Sequence, residues 1–178
     1  MSSSTSAHGA LSQAANDPHW AELFALERDT LERELGEWLV GAPEHIGSTA
    51  VPGLAAKPIV DIMAPVASLE ASRPAIAAAS RIGYVFYPYK PELMHWFCKP
   101  GPDWRTHHLH LVPLGSQLWE DRLLFRDALR ANQALRAEYQ TLKLSLARTH
   151  RADREAYTLA KGPFVERVLQ ASHHSSAA

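Results

Sequence analysis

The stretch that decides the fold is residues 45–62, HIGSTAVPGLAAKPIVDI. A short apolar run ends at a Gly-Ser pair, and a turn-rich linker then leads to Asp61 inside a second apolar run. Glycine lets the backbone approach a phosphate closely, and Ser48 adds a hydroxyl and an amide. A Gly-Ser pair alone is usually only a turn, so its meaning here comes from the aspartate that follows. The stretch predicts a phosphate-binding turn at Gly47 and Ser48, followed by a strand that carries a carboxylate.

Asp61 is surrounded by apolar neighbours, which is typical of a buried strand. Ile59 and Val60 precede it and Ile62 follows it. A carboxylate buried without a partner costs several kcal/mol. Asp61 therefore either contacts a metal ion or a substrate, or it pairs with Lys57 or an arginine near the end of the strand.

Met63 occupies the position where a second metal-binding carboxylate would stand. Side chains two residues apart on a strand share a face, so Met63 lies beside Asp61. Two-metal phosphoryl transfer uses a pair of ions, and a thioether is a poor ligand for Mg²⁺, which prefers hard oxygens. We therefore expect another element to complete the site, or the chemistry to be different or lost.

Two histidines on a later strand are the candidates to complete it. In the run THHLHLV at 106–112, alternation places His108 and His110 on one face. Imidazoles at this spacing lie about 7 Å apart and can share one metal ion or one anion. The alternative is that they are polar residues on an exposed face, satisfied by nearby carbonyls. If both face Asp61, one carboxylate and two imidazoles favour Mn²⁺, Fe²⁺ or Zn²⁺ over Mg²⁺.

Further polar groups come from either side of this region. Glu44 and His45 precede the turn, but neighbours on a strand face opposite sides, so only one of them can close the site. Tyr157 and Lys161 share a helix face at i,i+4 spacing and could act together. Several basic side chains could contact phosphate, although each alone is more often a solvated helix charge. These are Lys57, Arg126, Arg130, Lys143 and Lys161.

The composition indicates one soluble globular domain. The chain has 178 residues, of which 46% are hydrophobic and 21% charged, values ordinary for such a domain. Its formal net charge of -1 provides no basic field, so a nucleic-acid partner is not expected. No signal peptide is evident, and no stretch approaches the roughly 20 apolar residues of a membrane span. The single cysteine, Cys98, excludes an internal disulfide and fits a cytoplasmic protein.

Hydrophobic periodicity divides the chain into an α/β half and a helical half. Residues 1–16 and 172–178 are predicted to be disordered tails around a single domain, 17–171. Its α/β core covers 17–113 and its helical part 114–171. Strands are predicted at 44–46, 59–66, 94–99 and 105–113, the last two as an antiparallel hairpin. Helices are predicted from 17 to about 41, and at 69–82, 116–131, 133–149 and 153–171.

Taken in order, these motifs resemble the GrpB family, a group within the nucleotidyltransferase superfamily. The similarity covers DPHW at 17–20, the stretch 45–62, HLHLV at 108–112, LFRDALR at 124–130, and segments 139–146 and 153–161. The resemblance implies an α/β (α+β) chain with a minimal nucleotidyltransferase fold, in which helices flank a mixed β-sheet and a helical extension follows at the C-terminus. It implies no particular substrate, and Met63 departs from the superfamily's second acid.

These observations predict a metal-dependent nucleotidyltransferase that moves a nucleoside monophosphate from an NTP to a small acceptor. The predicted catalytic residues and metal ligands are Asp61, His108 and His110, with Mg²⁺ or Mn²⁺ expected and Zn²⁺ or Fe²⁺ as alternatives. Two other functions fit the same residues: a non-catalytic nucleotide or metabolite binder, and a metal-dependent hydrolase. The predicted phosphate contacts are Gly47, Ser48, Lys57, Arg126 and Lys161.

Overall fold

In the computed structural model, which describes residues 17–150 and 153–176, helices flank one five-stranded mixed sheet. In chain order, the elements are α1 (His19–Leu35), β1 (Glu44–Ile46), β2 (Val60–Val66), α2 (Ala75–Arg81), β3 (Val85–Tyr87), β4 (His95–Pro100), β5 (Arg105–Pro113), α3 (Gln117–Ala131), α4 (Gln133–Thr149), α5 (Arg154–Leu159) and α6 (Gly162–Ser176). The strand order is β1-β2-β5-β4-β3. Only the central β2 and β5 pair in parallel, and the other neighbours are antiparallel.

The face of the sheet opposite the polar residues is covered by α1 and α2. Residues of β2, β4 and β5 that alternate with the polar positions point to this side and are fully buried, among them Ile62, Phe97 and Leu109. From α1, Leu31 and Leu35 complete this core. A large-to-small substitution in a core of this kind costs about 2–5 kcal/mol, so this layer holds β2 and β5 in register.

The helical half packs against the other face of the sheet and against the loop after the Gly-Ser turn. Trp119 of α3 contacts the apolar side chains on that face. Within the loop, Val51 and Leu54 are buried among residues of α3, α4 and α6. Nε of Arg130 donates to the carbonyl of Ala50 at 2.8 Å, and the amide of Ala55 donates to Gln140 Oε1 at 2.9 Å. The C-terminal helices therefore hold the loop in place as well as covering the sheet.

The mixed α/β fold expected from the sequence is confirmed, and its central strands lie within one residue of their predicted bounds. The strand at 44–46 and the helices at 116–131 and 133–149 are also present. Ser116 caps the N-terminus of α3, because its Oγ accepts from the amide of Trp119. No helix among the described residues is both long and apolar enough to cross a membrane.

Several element boundaries predicted from the sequence are wrong. The first helix ends at Leu35 rather than near 41, and Leu39 instead bridges to Val66 of β2. The helix expected at 69–82 is regular only over Ala75–Arg81, because turns stabilised by Ser68 and Ser72 precede it. Strand β3 was not predicted, since three residues carry too little alternation to detect.

The C-terminal end also differs from the prediction. The helix expected at 153–171 is two helices, with a break between Leu159 and Gly162. The tail predicted as disordered at 172–178 is helical through Ser176, which corrects that boundary. The predicted tail at 1–16 lies outside the described residues.

Candidate functional site

Asp61, His108 and His110 come together on the sheet face that α3 covers. The parallel register places Asp61 of β2 directly beside His108 of β5, and Met63 beside His110. His108 Nδ1 lies 2.8 Å from Asp61 Oδ1, and His110 Nε2 lies 3.8 Å from the same oxygen. One potential ligand atom from each of the three residues lies within 4.8 Å of the others. The strand alternation therefore predicted their proximity correctly, while their roles stay predictions.

Asp61 and His110 are in the charge states that suit a cation site. Burial alone would raise the pKa of the Asp61 carboxyl, but the hydrogen bond from His108 and the adjacent imidazole of His110 hold that pKa well below its usual range. Burial, followed by the charge of Arg122, lowers the pKa of His110 to about 3. Asp61 is therefore ionised and His110 neutral at physiological pH, the forms in which both bind metals.

The hydrogen bonds of His110 test whether a cation fits. Within the described part of the chain its Nε2 is buried without a hydrogen-bond partner, while Arg122 Nη1 donates to its Nδ1 at 2.9 Å. In this contact Nδ1 accepts, which puts the proton of the neutral ring on Nε2. A cation on Nε2 requires that proton on Nδ1 instead, so Arg122 would have to release Nδ1, and the Met94 sulfur, 3.4 Å away, would then accept from it. The orphaned nitrogen beside an ionised carboxylate fits a metal, and the donor set favours Mn²⁺, Fe²⁺ or Zn²⁺.

Gly47 connects the turn to the carboxylate. Its φ of 72° lies in the left-handed region that side chains rarely adopt. A Cβ at this position would lie 2.5 Å from Asp61 Oδ2, closer than non-bonded atoms can approach. Glycine is therefore required at this position for two reasons, the backbone conformation and the close approach of the Asp61 carboxylate. Ser48 begins a short 3-10 turn, Ser48–Ala50, directly after it.

The position of the missing second carboxylate belongs to the apolar core. Met63 is 0% exposed and packs with Met94 and Trp119. Glu44, its neighbour in β1, does not replace the acid, because its Oε2 accepts from Arg126 Nη1 at 2.6 Å. Among the described residues that surround the site, Asp61 is therefore the one carboxylate available to a metal.

Arg126 ties α3 to the first strand. Besides Glu44, its Nη1 donates to the carbonyl of His45 at 3.0 Å, and its Nε donates to Asp127 at 2.7 Å. These contacts use several of its five donors in structural bonds. Its predicted contact with phosphate stays a prediction, and the structure gives it a separate task in positioning β1.

His45 is the member of the Glu44–His45 pair that points away from the site. Its ring stacks on Phe24 of α1 with centroids 4.7 Å apart, and its Nε2 lies 2.9 Å from Thr49 Oγ1. Burial is the main cause that lowers the pKa of His45 to about 4. This imidazole therefore anchors the turn from behind in its neutral form.

Two of the predicted phosphate-binding lysines meet at one aromatic ring. The Nζ atom of Lys161 lies 4.5 Å from the ring centroid of Tyr157, and that of Lys57 lies 5.7 Å from it. The expected contact between Tyr157 and Lys161 is present, although it spans the turn after α5 rather than one helix face. Burial lowers the pKa of Lys161, and the charge of Asp61 opposes that shift, so Lys161 lies within electrostatic range of the Asp61 carboxylate.

Sequence reasoning omitted two basic residues from its set of site residues. Arg122 contacts His110, as described, and Lys143 donates from Nζ to Ser48 Oγ at 3.1 Å and to the carbonyl of Ala55 at 2.6 Å. Lys143 is among the basic side chains that could contact phosphate, but it is absent from the predicted set of phosphate contacts. Its spacing of four residues from the buried Tyr139 was the available signal that it lies on the inner face of α4.

The fold and the site define a mixed α/β protein with one carboxylate–imidazole cluster on two parallel strands. The model of the family described as GrpB protein matches residues 12–171, and this chain belongs to that family.

Relatives and a solved structure agree with this assignment. A UPF0157 protein of Pseudomonas aeruginosa is 40% identical over 158 residues, which cover 86% of this chain and 64% of the relative. A UPF0157 protein of Deinococcus radiodurans is 36% identical, with 89% and 81% covered. The crystal structure of conserved protein GrpB from Enterococcus faecalis has a TM-score of 0.83 and 32% identity, and the match covers 94% of this chain and 100% of that one. The chain thus spans just under two thirds of the P. aeruginosa relative.

The buried His45 predicts a specific pH dependence of stability. An unfolded histidine takes up its proton near pH 6.5, but His45 in the folded protein does so only near pH 4. Its contribution is therefore complete above pH 6.5 and is lost as the pH falls, by up to about 1.4 kcal/mol per pH unit. We expect His45→Gln to flatten this decline in urea unfolding between pH 7.5 and 5. The exposed His19→Gln is the control, and equal slopes in wild type and His45→Gln would contradict the prediction.

The contact of Gly47 with Asp61 predicts a localised effect of a methyl group. Gly47→Ala should lower the free energy of unfolding by about 1–3 kcal/mol and displace the Asp61 carboxylate. Gly53→Ala is the matched control, because Gly53 also has a positive φ of 81° but nothing within 4 Å of an added Cβ. Urea unfolding and metal titration should show the larger loss for Gly47→Ala. Equal losses of unfolding free energy in the two variants would contradict the prediction, because they would show that the backbone conformation alone accounts for the destabilisation.

The cluster predicts stabilisation by a transition-metal ion. Mn²⁺ or Zn²⁺ at 100 times its dissociation constant should stabilise the native protein by about 2.7 kcal/mol. Thermal unfolding after removal of bound metal with EDTA would measure this, and Asp61→Asn and His110→Ala should each abolish the shift. His19→Ala, which removes an exposed imidazole, should retain it. A wild-type midpoint that does not respond to either ion would exclude the site.

Proposed function

We propose that this protein is a divalent-metal-dependent nucleotidyltransferase that moves a nucleoside monophosphate from an NTP to a small acceptor. The observation that carries the proposal is the contact between the Gly47–Ser48 turn and the Asp61 carboxylate. A backbone suited to phosphate and a carboxylate suited to a metal ion thereby meet at one point. The sequence resemblance to the nucleotidyltransferase superfamily supports the same activity.

The side chains divide into a metal-binding group and a phosphate-binding group. Asp61 and His110 would hold the cation, which when bound neutralises charge on the phosphates and polarises the one under attack. Ser48 would position the phosphates, and Lys57 and Lys161 would balance their charge.

His108 serves in one of two ways. It is a third metal ligand if its Nδ1 is unprotonated. If Nδ1 instead donates to Asp61, as at the observed 2.8 Å, Nε2 of the neutral ring is a base that can take the proton of the acceptor hydroxyl. This nitrogen is buried and has no hydrogen-bond partner among the described residues, so it needs a small rearrangement to reach an acceptor.

A metal-dependent hydrolase that uses the same three residues is the second candidate. The donor set favours it, because two imidazoles and one carboxylate with Met63 at the second acid position match a single transition-metal ion better than a Mg²⁺ pair. In this case Asp61 and the two histidines would hold the ion, and the nucleophile would be water instead of an acceptor hydroxyl.

A thermal-unfolding panel followed by product analysis tests the proposal. ATP, GTP, CTP and UTP are each combined with EDTA, Mg²⁺, Mn²⁺ or Zn²⁺, using wild type and Asp61→Asn. We expect one nucleotide to raise the midpoint only with metal, and Asp61→Asn to lose this shift. Turnover should release pyrophosphate and fall roughly 100-fold or more in the variant.

Other outcomes would reassign the function. Release of inorganic phosphate or of a hydrolysed metabolite, without pyrophosphate, would favour the hydrolase. Stabilisation by a nucleotide in EDTA with no product would favour the non-catalytic binder. If no NTP raises the midpoint with any metal, nucleotidyl transfer is excluded. Gly53→Ala, which alters the same loop away from Asp61, is the control for loss of folding.

A further inference from the structure

Lys143 is a buried cation that has no counter-ion among the residues that the structure describes. Its side chain in α4 is 3% exposed, and its Nζ contacts the Ser48 hydroxyl, the Ala55 carbonyl and, at 5.3 Å from the centroid, the ring of Tyr139. Among the residues that the structure describes, no carboxylate lies within ion-pair distance of it. Burying an unpaired ammonium costs several kcal/mol, so this position is explained better by a ligand than by stability.

A second cation without a carboxylate partner lies close to the first. Lys161 lowers the pKa of Lys143 through its charge, and neither lysine forms an ion pair with a described residue. Glu27 and Lys99, on the opposite face of the sheet, form a partly buried pair at 2.8 Å, so the fold does pair lysine with carboxylate elsewhere. The two lysines come from α4 and from the turn before α6. Lys143 contacts Ser48 directly, and Lys161 lies over the Tyr157 ring within electrostatic range of both Lys143 and Asp61.

The place where these groups meet adjoins the metal cluster. Ser48 directly follows Gly47, where an added Cβ would clash with Asp61 Oδ2. Burial lowers the pKa of Lys161, and the negative charge of Asp61 opposes that lowering. An anion that contacts both lysines and the Ser48 hydroxyl would therefore extend away from the site of a metal ion. A chain of phosphates has this shape and charge, with one end at the metal and its terminal groups at the lysines.

We propose that Lys143, Lys161 and Ser48 form a binding site for the terminal phosphates of a polyphosphate ligand, and that this site binds without metal. The proposal deepens the proposed function, because it assigns the part of an NTP that leaves as pyrophosphate. It does not require turnover, since the site recognises the phosphate chain alone. Each ammonium–phosphate contact is a charge-assisted hydrogen bond, the strong class of such bonds.

The ionisation of Lys143 supports the proposal and adds a pH dependence. Burial, reinforced by the charge of Lys161, lowers the pKa of Lys143 to about 7. The lysine is then charged below pH 7 and increasingly neutral above it, so anion affinity should fall as the pH rises from 6 to 8.5. The titratable groups that act on Lys143 directly or through one neighbour are Lys161, Tyr139, Tyr157 and Asp61.

Binding of inorganic tripolyphosphate in EDTA, measured by calorimetry, tests the site. We expect wild type to bind, and Lys143→Met to weaken the affinity about tenfold or more, the loss of one charge-assisted hydrogen bond. Lys161→Met should weaken it independently. Lys90→Met removes an exposed positive charge elsewhere and is expected to leave affinity within about twofold. The unliganded midpoint of Lys143→Met should change little, because methionine fills a similar volume without a buried charge.

The outcomes separate this proposal from the proposed function. Tripolyphosphate binding that depends on Lys143 upholds the site even if no NTP is turned over. Wild-type binding that survives Lys143→Met and Lys161→Met overturns it even if nucleotidyl transfer is established, and so does an absence of binding in EDTA. Sulfate, whose charge is constant between pH 6 and 8.5, should bind more weakly at the higher pH in wild type. A flat sulfate profile would contradict the role of Lys143.

Discussion

Hydrogen bonding between the parallel strands β2 and β5 sets the positions of Asp61, His108 and His110, on which the candidate site depends. Their register places Asp61 beside His108 and brings His110 within 3.8 Å of the same carboxylate oxygen. A slip of one residue would turn either strand's polar set towards α1 and α2. The apolar residues that alternate with the polar ones prevent this, because they are fully buried on that side. The same alternation therefore specifies both the core and the site.

The charges around this pair are unbalanced, and the imbalance suits an anionic ligand. One carboxylate, Asp61, acts electrostatically on Arg122 and Lys161 of the helical half, and Lys143 adds a further positive charge near Lys161. If stability were the only constraint, we would expect these cations to be paired with carboxylates or exposed to solvent. The C-terminal helices thus do more than brace the loop, since they carry most of the positive charge of the site.

Much of the fold followed from local pattern. Alternation identified β2 and β5, and turn residues identified the loop 47–58. The errors lie at short elements and at a break within a continuous apolar period. Strand β3 has three residues and, unlike β1, no motif beside it, and the break after Leu159 was missed although Gly162 and Pro163 mark a turn there. Tertiary packing sets such boundaries, so pattern alone cannot place them.

The sequence by itself determined which residues share a face of a strand, and hence that Asp61, His108 and His110 could form one cluster without a second acid at Met63. The sequence also predicted that β4 and β5 pair as an antiparallel hairpin. Only the tertiary structure decided that β2 and β5 are neighbours and which helix faces turn inward. Arg122 and Lys143 lie 61 and 82 residues beyond Asp61 in the chain, and no periodicity connects positions so far apart. Their contacts with His110 and Ser48 arise because α3 and α4 bury apolar faces against the sheet and its loop. This packing places the basic side chains of the same helices beside the site.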